Sequence, residues 1–440
     1  MEQSLLPVIL QLTVIIVTAR GFATLFKKVG QPGVCGEMAA GLLLGPSLFG
    51  KFFPRAFHSI FDPSIEHTIT IFSQIGLILL LFLIGMEFEF CHLRTHGYKA
   101  AGISLAGILM PFTCGLVLAR LIYHLVARDI SFVGFSLFTA TAMSITALPT
   151  LGRILIEFNL NRTQIGVTAM TAAALDDAAG WIILATINAI VRSNFHPMLA
   201  ARMLLETLGF GLILLFVVRP LLKRWTRHIL KTEGPEISST TLAIVLALMF
   251  GAAMITNLIG IFSIFGAFMM GALFFDQDEF RRAVALRLRD FVYVFFVPIF
   301  FMYTGLRTDI GVMSGPLLWQ LCGLVVLVAI AAKAGGCALA ARWSGLSWRD
   351  SALVGIFMNT RGLMELIVLN VGYDLGVIPK SMFFILTIMA VVTTYMTAPL
   401  LRRLTGPEQV QFGVEAASPG RWQAVGLEPD VEVRRSGTAG

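Results

Sequence analysis

Two adjacent aspartates, Asp176 and Asp177, lie in the middle of a long apolar segment, where charged side chains are rare. A charge at the centre of a membrane-spanning helix costs about 2.5 to 3.5 kcal/mol, so a pair of them needs a reason. Neighbouring residues on a helix point about 100° apart, and the two carboxylates therefore cannot share one face. We expect one to face a cavity and the other a neighbouring helix. The alternative is a pair buried against a basic residue for packing alone.

Lys333 is the only lysine in the middle of an apolar segment, which makes it the natural counter-charge for one of the aspartates. Alanine and glycine occupy 331–332 and 334–336, and such small residues let another helix approach closely. The alternative is that the ammonium group reaches a membrane interface. The apolar residues that flank Lys333 on both sides favour the buried position.

Two other segments contain residues that interrupt a helix. In the first, Pro149 removes a backbone donor and disfavours helix at the preceding residue, while hydroxyls such as Ser144 and Thr146 can serve the freed carbonyls. Backbone that is unwound at membrane depth is tolerated only beside protein or a water-filled cavity. The alternative for this segment is an ordinary proline kink.

The second interruption is the segment 359–362, Asn-Thr-Arg-Gly, followed by Glu365. Arg361 and Glu365 are four residues apart and so lie on one helical face, which leaves a self-neutralised structural ion pair as the alternative. The two halves of the chain mirror each other, because a break precedes the aspartates in one half and follows the lysine in the other. This order is typical of inverted repeats, in which ion sites form where two discontinuous helices cross at the midplane.

The available ligands indicate which ion such a site would take. Carboxylate and hydroxyl oxygens suit hard monovalent cations, and the chain has no His or Cys at ligand spacing for a transition metal. Nothing in the sequence calls for a cofactor.

The elements that must position these residues are membrane-spanning helices. The sequence is 57% hydrophobic and 13% charged, with a mean hydropathy of +0.82, and a spanning helix needs about 20 mostly apolar residues. We predict an all-α polytopic membrane protein that uses the lipid bilayer as its solvent. Its thirteen predicted spans are 5–26, 32–50, 68–87, 98–125, 131–156, 163–191, 199–222, 238–259, 261–275, 290–306, 316–342, 350–373 and 380–401.

The distribution of Lys and Arg explains the net charge of +7 without a nucleic-acid partner. The predicted loops on one side of the membrane hold nineteen of these residues and the loops on the other side hold seven. Basic loops stay in the cytoplasm, so the C-terminus is predicted to be cytoplasmic, in an inner, plasma or organelle membrane. Residues 1–403 form the predicted transmembrane domain, and the polar segment 404–440 is predicted to be a disordered cytoplasmic tail.

Several motifs together resemble the monovalent cation/proton antiporter superfamily, in its sodium/proton and Kef-type potassium/proton branch. They are ALDDAAGWIILA, the lysine helix, NTRGLMELIVLN, QPGVCGEMAAGLLLGPSLFG and LLLFLIGMEFEF, and the match covers residues 1 to about 403. NTRGLMELIVLN is most similar to plant cation/proton exchangers, whereas the acidic pair is similar to bacterial sodium/proton antiporters.

The resemblance implies the sodium/proton antiporter fold and a role for each candidate. Asp177 would bind the monovalent cation and the proton, Asp176 would be the lysine's partner, and Lys333 would be that lysine. Thr146 would be the polar residue at the first crossing. Support at the crossing helices is assigned to Arg361, Glu365, Asn359 and Ser144. The family fold also implies six core helices that move against a dimerising panel, which we expect in the first few helices and their mates near 163–275, and hence a homodimer.

The resemblance further implies secondary active exchange of Na⁺ or K⁺ for protons by alternating access. An Asp-Asp pair with the lysine accompanies electrogenic exchange in the family, whereas plant-type members usually carry Asn-Asp and are electroneutral. Asp176 therefore favours electrogenic exchange here, with electroneutral K⁺/H⁺ exchange and a gated K⁺ efflux channel as alternatives. An enzyme is not expected. An intramembrane aspartyl protease usually needs Gly-x-Gly-Asp, and the chain has no Gly-Asp dipeptide.

Overall fold

The computed structural model describes residues 2–31, 33–61, 66–87, 93–127, 129–158, 160, 163–193, 196–234 and 237–405. Within these ranges the regular structure is helical throughout. Residues 406–440, which make up nearly all of the predicted tail, lie outside the described residues. The α-helices are α1 Glu2–Lys28, α2 Gly33–Leu44, α3 Pro54–Ile60, α4 Glu66–Glu87, α5 Leu93–Val126, α6 Phe132–Ser144, α7 Leu148–Glu157, α8 Gln164–Arg192, α9 Pro197–Ile213, α10 Arg219–Glu233, α11 Ser239–Ile259, α12 Ser263–Ala272, α13 Asp278–Phe291, α14 Val297–Arg307, α15 Pro316–Trp343, α16 Trp348–Met358, α17 Leu363–Asp374 and α18 Lys380–Thr405.

The described helices include ten that are long and apolar enough to span a membrane, and the bent pair α16–α17 makes eleven. The predicted number of thirteen is therefore not confirmed, although the all-helical membrane architecture is. The two remaining predicted spans, 261–275 and 290–306, correspond to α12 and α14. These helices have 10 and 11 residues, because a turn ends α12 near Leu273 and a π-helical segment, Val292–Phe296, joins α14 to a polar helix.

The spans form two groups, a bundle and a panel. In the bundle, α5 packs against α6, α8 and α15, and α15 packs against α16 and α18. In the panel, α1 packs on α2, α2 on α14, α14 on α4, and α4 on α12, which also contacts α11. The expected panel near 163–275 was wrong at its start, since α8 belongs to the bundle. The helix α8 packs against α5 and α16, and its Asp176 pairs with Lys333 on α15 of the bundle.

One end of the helices, here named the Leu404 face, is marked by contacts between arginine side chains and backbone carbonyls. A guanidinium nitrogen of Arg349, at the start of α16, lies 2.6 Å from the carbonyl oxygen of Leu404 near the end of α18. Arg402 donates in the same way to the carbonyl of Gly30, just after α1, at 2.7 Å. The helices α1 and α18 therefore end at this face, and α16 begins there.

The opposite end, here named the Arg307 face, joins other helix ends. Arg307, the last residue of α14, pairs with Asp374, the last residue of α17, at 2.6 Å. Near the end of α8, the amide nitrogen of Asn188 donates to the carbonyl of Gly260, which caps α11. Gly260 has a φ of 97°, a left-handed conformation that glycine adopts without steric cost. Successive spans alternate in direction, and α1, the first, ends at the Leu404 face; α8, the sixth described span, therefore runs towards the Arg307 face.

Two helices rich in basic residues, α10 and α13, lie at the Leu404 face. A π-helical segment, Leu214–Val218, joins α9 to α10, so that Pro197–Glu233 forms one helical run of 37 residues. Asp276, after α12, accepts hydrogen bonds from Lys223 at 2.5 Å and from Arg219 at 3.2 Å. Burial raises the pKa of the Asp276 carboxyl, but the hydrogen bond and charge of Lys223, together with Arg219, outweigh this and leave the pKa below its usual value. The carboxylate thus joins α10 to the α12–α13 turn.

Close contact between α2 and α14 makes Gly305 sensitive to substitution. A Cβ atom at Gly305 would overlap the carbonyl of Gly41, and one at Gly41 would overlap the carbonyl of Phe301. We expect Gly305→Ala to destabilise the protein by about 1 to 3 kcal/mol, because the two backbones must move apart. Gly251→Ala on α11 is the matched control, since no atom lies within 4 Å of its Cβ position. Thermal melting in detergent should lower the midpoint for the first variant only; equal midpoints would contradict this packing.

Candidate functional site

The first break separates α6 from α7. After Ser144 the residues 145–147 are not helical, and Ile145 is extended, with φ −80° and ψ 139°. Pro149 lies in the first turn of α7, where its missing N–H is not needed for the helix. The interruption is therefore a true discontinuity and not an ordinary proline kink.

The second break separates α16 from α17, whose axes differ in direction by 42°. The helix α16 ends at Met358, and α17 begins at Leu363. Thr394 on α18 donates its hydroxyl to the carbonyl of Arg361 at 2.7 Å, which satisfies one backbone group freed by the break. As predicted, 359–362 is the non-helical segment.

The two breaks contact each other. The backbone N–H of Ala147 donates to the carbonyl of Thr360 at 3.1 Å, and the Thr146 hydroxyl donates to the carbonyl of Met358 at 2.9 Å. The first contact pairs two backbone groups freed by the breaks, one in each half of the chain, and the second satisfies a freed carbonyl with a side-chain hydroxyl. The predicted crossing of two discontinuous helices is confirmed.

Lys333 lies fully buried between α15, α8 and the first break. Its ammonium nitrogen lies 2.7 Å from Oδ2 of Asp176 and 2.8 Å from the carbonyl oxygen of Gly107, and it also donates to the carbonyl of Ser144. An ammonium group has three hydrogens, and three acceptors surround this one. The side chain therefore does not reach an interface, and its carboxylate contact is with Asp176, the aspartate that the family resemblance implied.

Arg361 is also fully buried, and its side chain contacts the end of α6 at the first break. Its two terminal nitrogens donate to the carbonyls of Ala142 and Met143, each at 2.5 Å. It also pairs with Glu365, at the longer distance of 3.4 Å. Lys333 donates to the next carbonyl, that of Ser144, so three successive carbonyls at the end of α6 accept hydrogen bonds from cationic side chains. Cations stabilise the negative end of a helix dipole. Arg361 therefore connects the second break to the end of α6, and its role is not limited to the ion pair with Glu365.

Asp177 differs from its neighbour because it faces away from Lys333. Its side chain is 1% exposed, and its Oδ1 atom has no hydrogen-bond partner among the described residues. Gly180 follows three residues later on the same face of α8, and a Cβ there would lie 3.2 Å from Ile145 and 3.8 Å from Met364. This face of α8 therefore meets both breaks, and Asp177 lies beside the crossing.

The remaining candidates make their hydrogen bonds to groups other than Asp177. The Asn359 amide nitrogen lies 3.9 Å from the sulfur of Met396, and its Oδ1 has no partner among the described residues. Thr146 faces α16, and Ser144 contributes its carbonyl to Lys333. No hydrogen bond joins Asp177 to Thr146 or Asn359 in the described part of the chain.

The buried charges of the bundle do not balance. Among its described residues, side chains no more than 1% exposed include three carboxylic acids and two cations. Asp176 pairs with Lys333, and Glu365 pairs with Arg361. The acid left over is Asp177, so the ionised site lacks one positive charge. A bound proton or a monovalent cation would supply it.

Sequence reasoning missed contributions to the site that come mainly from the backbone. The carbonyls of Gly107, Ala142 and Met143 accept hydrogen bonds from the buried cations, and every residue type has such a carbonyl. Thr394 could have been suspected, because adjacent threonines at 393–394 interrupt the apolar run of the last span. The breaks create these roles by freeing carbonyls at membrane depth.

Comparison with known proteins places this arrangement among cation/proton antiporters. Residues 12–403 match the family model described as sodium/hydrogen exchanger, transmembrane. The Na(+)/H(+) antiporter NhaS4 of Synechocystis is 38% identical over 409 residues, which cover 91% of this chain and 98% of that protein. Cation/H(+) antiporter 17 of Arabidopsis thaliana is 35% identical over 92% of this chain, and K(+)/H(+) antiporter 1 of Saccharomyces cerevisiae is 32% identical over 88%.

The chain spans about half the length of these plant and yeast relatives, 49% and 45%. Among solved structures, the sodium proton antiporter MjNhaP1 from Methanocaldococcus jannaschii aligns with a TM-score of 0.65 at 16% sequence identity. The alignment covers 92% of this chain and 98% of that one. At this identity the likeness establishes the fold alone.

Proposed function

The chain belongs to the transmembrane sodium/hydrogen exchanger family, and from this premise we propose that it exchanges Na⁺ or K⁺ for protons by alternating access. The observation that carries the proposal is the single unbalanced carboxylate, Asp177, buried beside the crossing of the two breaks. Proton and cation compete for the same oxygens, so the site holds one of them at a time. Exposure of the site to each side in turn then couples their movements. Names of relatives include both sodium and potassium antiporters, so both ions are candidate substrates.

We assign the surrounding residues supporting roles in this exchange. Asp176 and Lys333 form the neighbouring pair, and Arg361 with Glu365 fixes the crossing. Backbone oxygens at the breaks and the hydroxyl of Thr146 complete the polar surroundings. No covalent step is required, which agrees with relatives that are named antiporters and not enzymes.

The orientation and the assembly follow from charge and from the family resemblance. The protein is a multi-pass membrane protein, and we propose that the Leu404 face is cytoplasmic because basic residues concentrate in the loops predicted there. A homodimer that forms through the panel is proposed from the resemblance. Light scattering in detergent, corrected for bound detergent, should then give twice the mass of 48.0 kDa. A monomeric mass would contradict this assembly.

Proton movement in proteoliposomes tests the proposed function. A pH-sensitive dye is enclosed, and sodium, potassium and lithium salts are added in turn to the outside. Exchange predicts that an inward cation gradient drives protons out, and that a proton gradient accumulates the cation above its external concentration. A gated channel would dissipate a cation gradient and could not accumulate the ion. Absence of coupled movement with all three cations would rule out the proposal.

We further propose that exchange is electrogenic, through release of a second proton from Lys333. A neutral amine keeps two N–H donors, enough for the carbonyls of Gly107 and Ser144. Loss of the third proton would therefore break only the contact with Asp176. The acceptors around Lys333 thus match a cycle in which cation binding at Asp177 opens the Asp176–Lys333 pair.

Asp176→Asn should convert the protein towards electroneutral exchange, because an uncharged partner no longer holds the lysine protonated. Transport in liposomes is measured while a potassium-valinomycin potential is clamped at different values, with sodium as substrate. A membrane potential is worth about 2.3 kcal/mol per charge per 100 mV, so wild-type exchange should respond and the variant should not. A wild type that is indifferent to the potential would show that Asp176 is a structural partner only.

A further inference from the structure

Trp181 belongs to the bundle, yet its ring lies against the panel. Its ring centroid is 5.4 Å from that of Phe265, edge-on, and 5.6 Å from that of Phe268, both on α12. The side chain is 3% exposed. Trp181 follows Asp177 by four residues, so the two side chains lie on the same face of α8, one turn apart. An aromatic layer between bundle and panel is therefore adjacent to the unbalanced carboxylate.

This layer lies on the Arg307 side of Asp177. The helix α8 runs towards the Arg307 face, so Trp181 is about 6 Å closer to that face than Asp177 is. A path from the Arg307 face to Asp177 along this face of α8 leads past Trp181. At the rim of the same interface, the Arg307–Asp374 pair joins α14 of the panel to α17 of the bundle at 2.6 Å.

The interface between panel and bundle contains a cavity on its Leu404 side. A cavity of about 90 Å³ separates α1 and α2 of the panel from α18 of the bundle there. Thr394, which lines this cavity, also donates to the carbonyl of Arg361 in the second break. Thr394 therefore lies between the cavity and the backbone of the second break. Its lining residues are Phe26, Cys35, Met38, Ala39, Val391, Thr394 and Tyr395.

We propose that Trp181 is a plug that closes the route from the Arg307 face to Asp177, so that the described conformation admits ions only from the Leu404 face. A large rigid ring suits this role because it packs against the rings of Phe265 and Phe268 and leaves no room for water there. Its Nε1–H has no hydrogen-bond partner among the described residues, so the ring acts by filling space. Displacement of the bundle along the panel withdraws it from Phe265 and Phe268. The proposal rests on the proposed exchange at Asp177, but its test does not require transport.

Accessibility of a cysteine at the site measures the plug directly. The five native cysteines are replaced in the full chain, Asp177→Cys is introduced, and a membrane-impermeant thiol reagent is added to either face of oriented vesicles. With Trp181 present, we expect labelling from the Leu404 face only. Trp181→Ala should raise labelling from the Arg307 face about tenfold, which corresponds to about 1.4 kcal/mol of lost closure. A C-terminal tag identifies the Leu404 face.

Three further variants separate the plug from a general loss of structure. Trp181→Phe keeps a ring and removes only the N–H, so labelling should stay one-sided. Phe265→Ala removes the plug's partner on the panel and should act like Trp181→Ala. Trp225→Ala is the matched control, because it removes the same side chain from a ring contact with Phe280, 5.7 Å away, between α10 and α13; labelling should not change.

Two results would overturn the proposal. Labelling of Asp177→Cys from the Arg307 face that is already equal to that from the Leu404 face would show that no closure exists. One-sided labelling that persists in both Trp181→Ala and Phe265→Ala would show that other residues close the route. Neither result depends on whether the wild type exchanges cations for protons, so failure of the plug and failure of the proposed function are distinguishable.

Discussion

Asp177→Asn is expected to reduce cation-driven proton flux to the rate of empty liposomes while the protein stays folded. Asparagine has nearly the same shape as aspartic acid but neither carries a negative charge nor binds a proton at neutral pH. The surplus negative charge of the bundle disappears with this substitution, and with it the attraction for a cation. The effect is larger than for any other single change at the site, because Asp176 and Glu365 each already have a cationic partner.

The measurement is dye-reported proton movement in proteoliposomes after addition of sodium or potassium. Elution from a sizing column and the thermal midpoint verify that the variant is folded. Asp290→Asn is the matched control, since it makes the same chemical change at an exposed position of α13 and should leave the flux unchanged. Flux retained by Asp177→Asn would remove Asp177 from the centre of the mechanism.

Lys333→Ala should destabilise the protein by about 3 to 5 kcal/mol, because removal of one partner leaves a buried, uncompensated charge. Two adjacent carboxylates would remain in α8 without their neighbouring cation, and the carbonyls of Gly107 and Ser144 would lose their donor. Asp176→Asn should cost less. In that variant Lys333 keeps both carbonyl acceptors, and the asparagine oxygen can still accept a hydrogen bond.

Thermal melting in detergent compares these variants with wild type. Lys380→Ala is the control, because Lys380 is exposed at the start of α18, and its midpoint should equal that of wild type. The double variant Lys333→Met/Asp176→Leu replaces the buried pair by apolar side chains and should recover part of the loss. Equal midpoints for Lys333→Ala and wild type would contradict the buried pair.

The sequence was sufficient to predict that Lys333 pairs with one of the two aspartates and that both breaks exist, because each depends on a rule with few exceptions in hydrocarbon. The choice of Asp176 as the partner came from the family resemblance. A charge at membrane depth needs a partner, and unwound backbone needs protein or water beside it. Arg361 was found for the same reason. Its acceptors on α6 were not found, since a carbonyl acquires its role only from the position at which a helix stops.

Grouping of helices was less predictable than their existence. Hydropathy does not distinguish a span that faces lipid from one that faces another group of helices, and so the expected panel wrongly included α8. The number of spans also remained undetermined, because α12 and α14 are too short to be recognised as complete spans by length and composition. The grouping of the helices and the number of spans both depend on contacts between helices that are far apart in the chain.

The length of the helical run formed by α9 and α10 limits how far this part of the protein can move across the bilayer. At about 1.5 Å per residue, its 37 residues extend about 55 Å, well beyond a hydrocarbon core of about 30 Å. We therefore expect the basic residues of α10 to lie in the headgroup region, and Asp276 ties two of them, Arg219 and Lys223, to the α12–α13 turn. Drawing each of these charges into hydrocarbon would cost about 2.5 to 3.5 kcal/mol. These contacts would keep the α12–α13 turn of the panel at a fixed depth, so in the exchange that we propose the movement of Asp177 between the two faces would belong to the bundle.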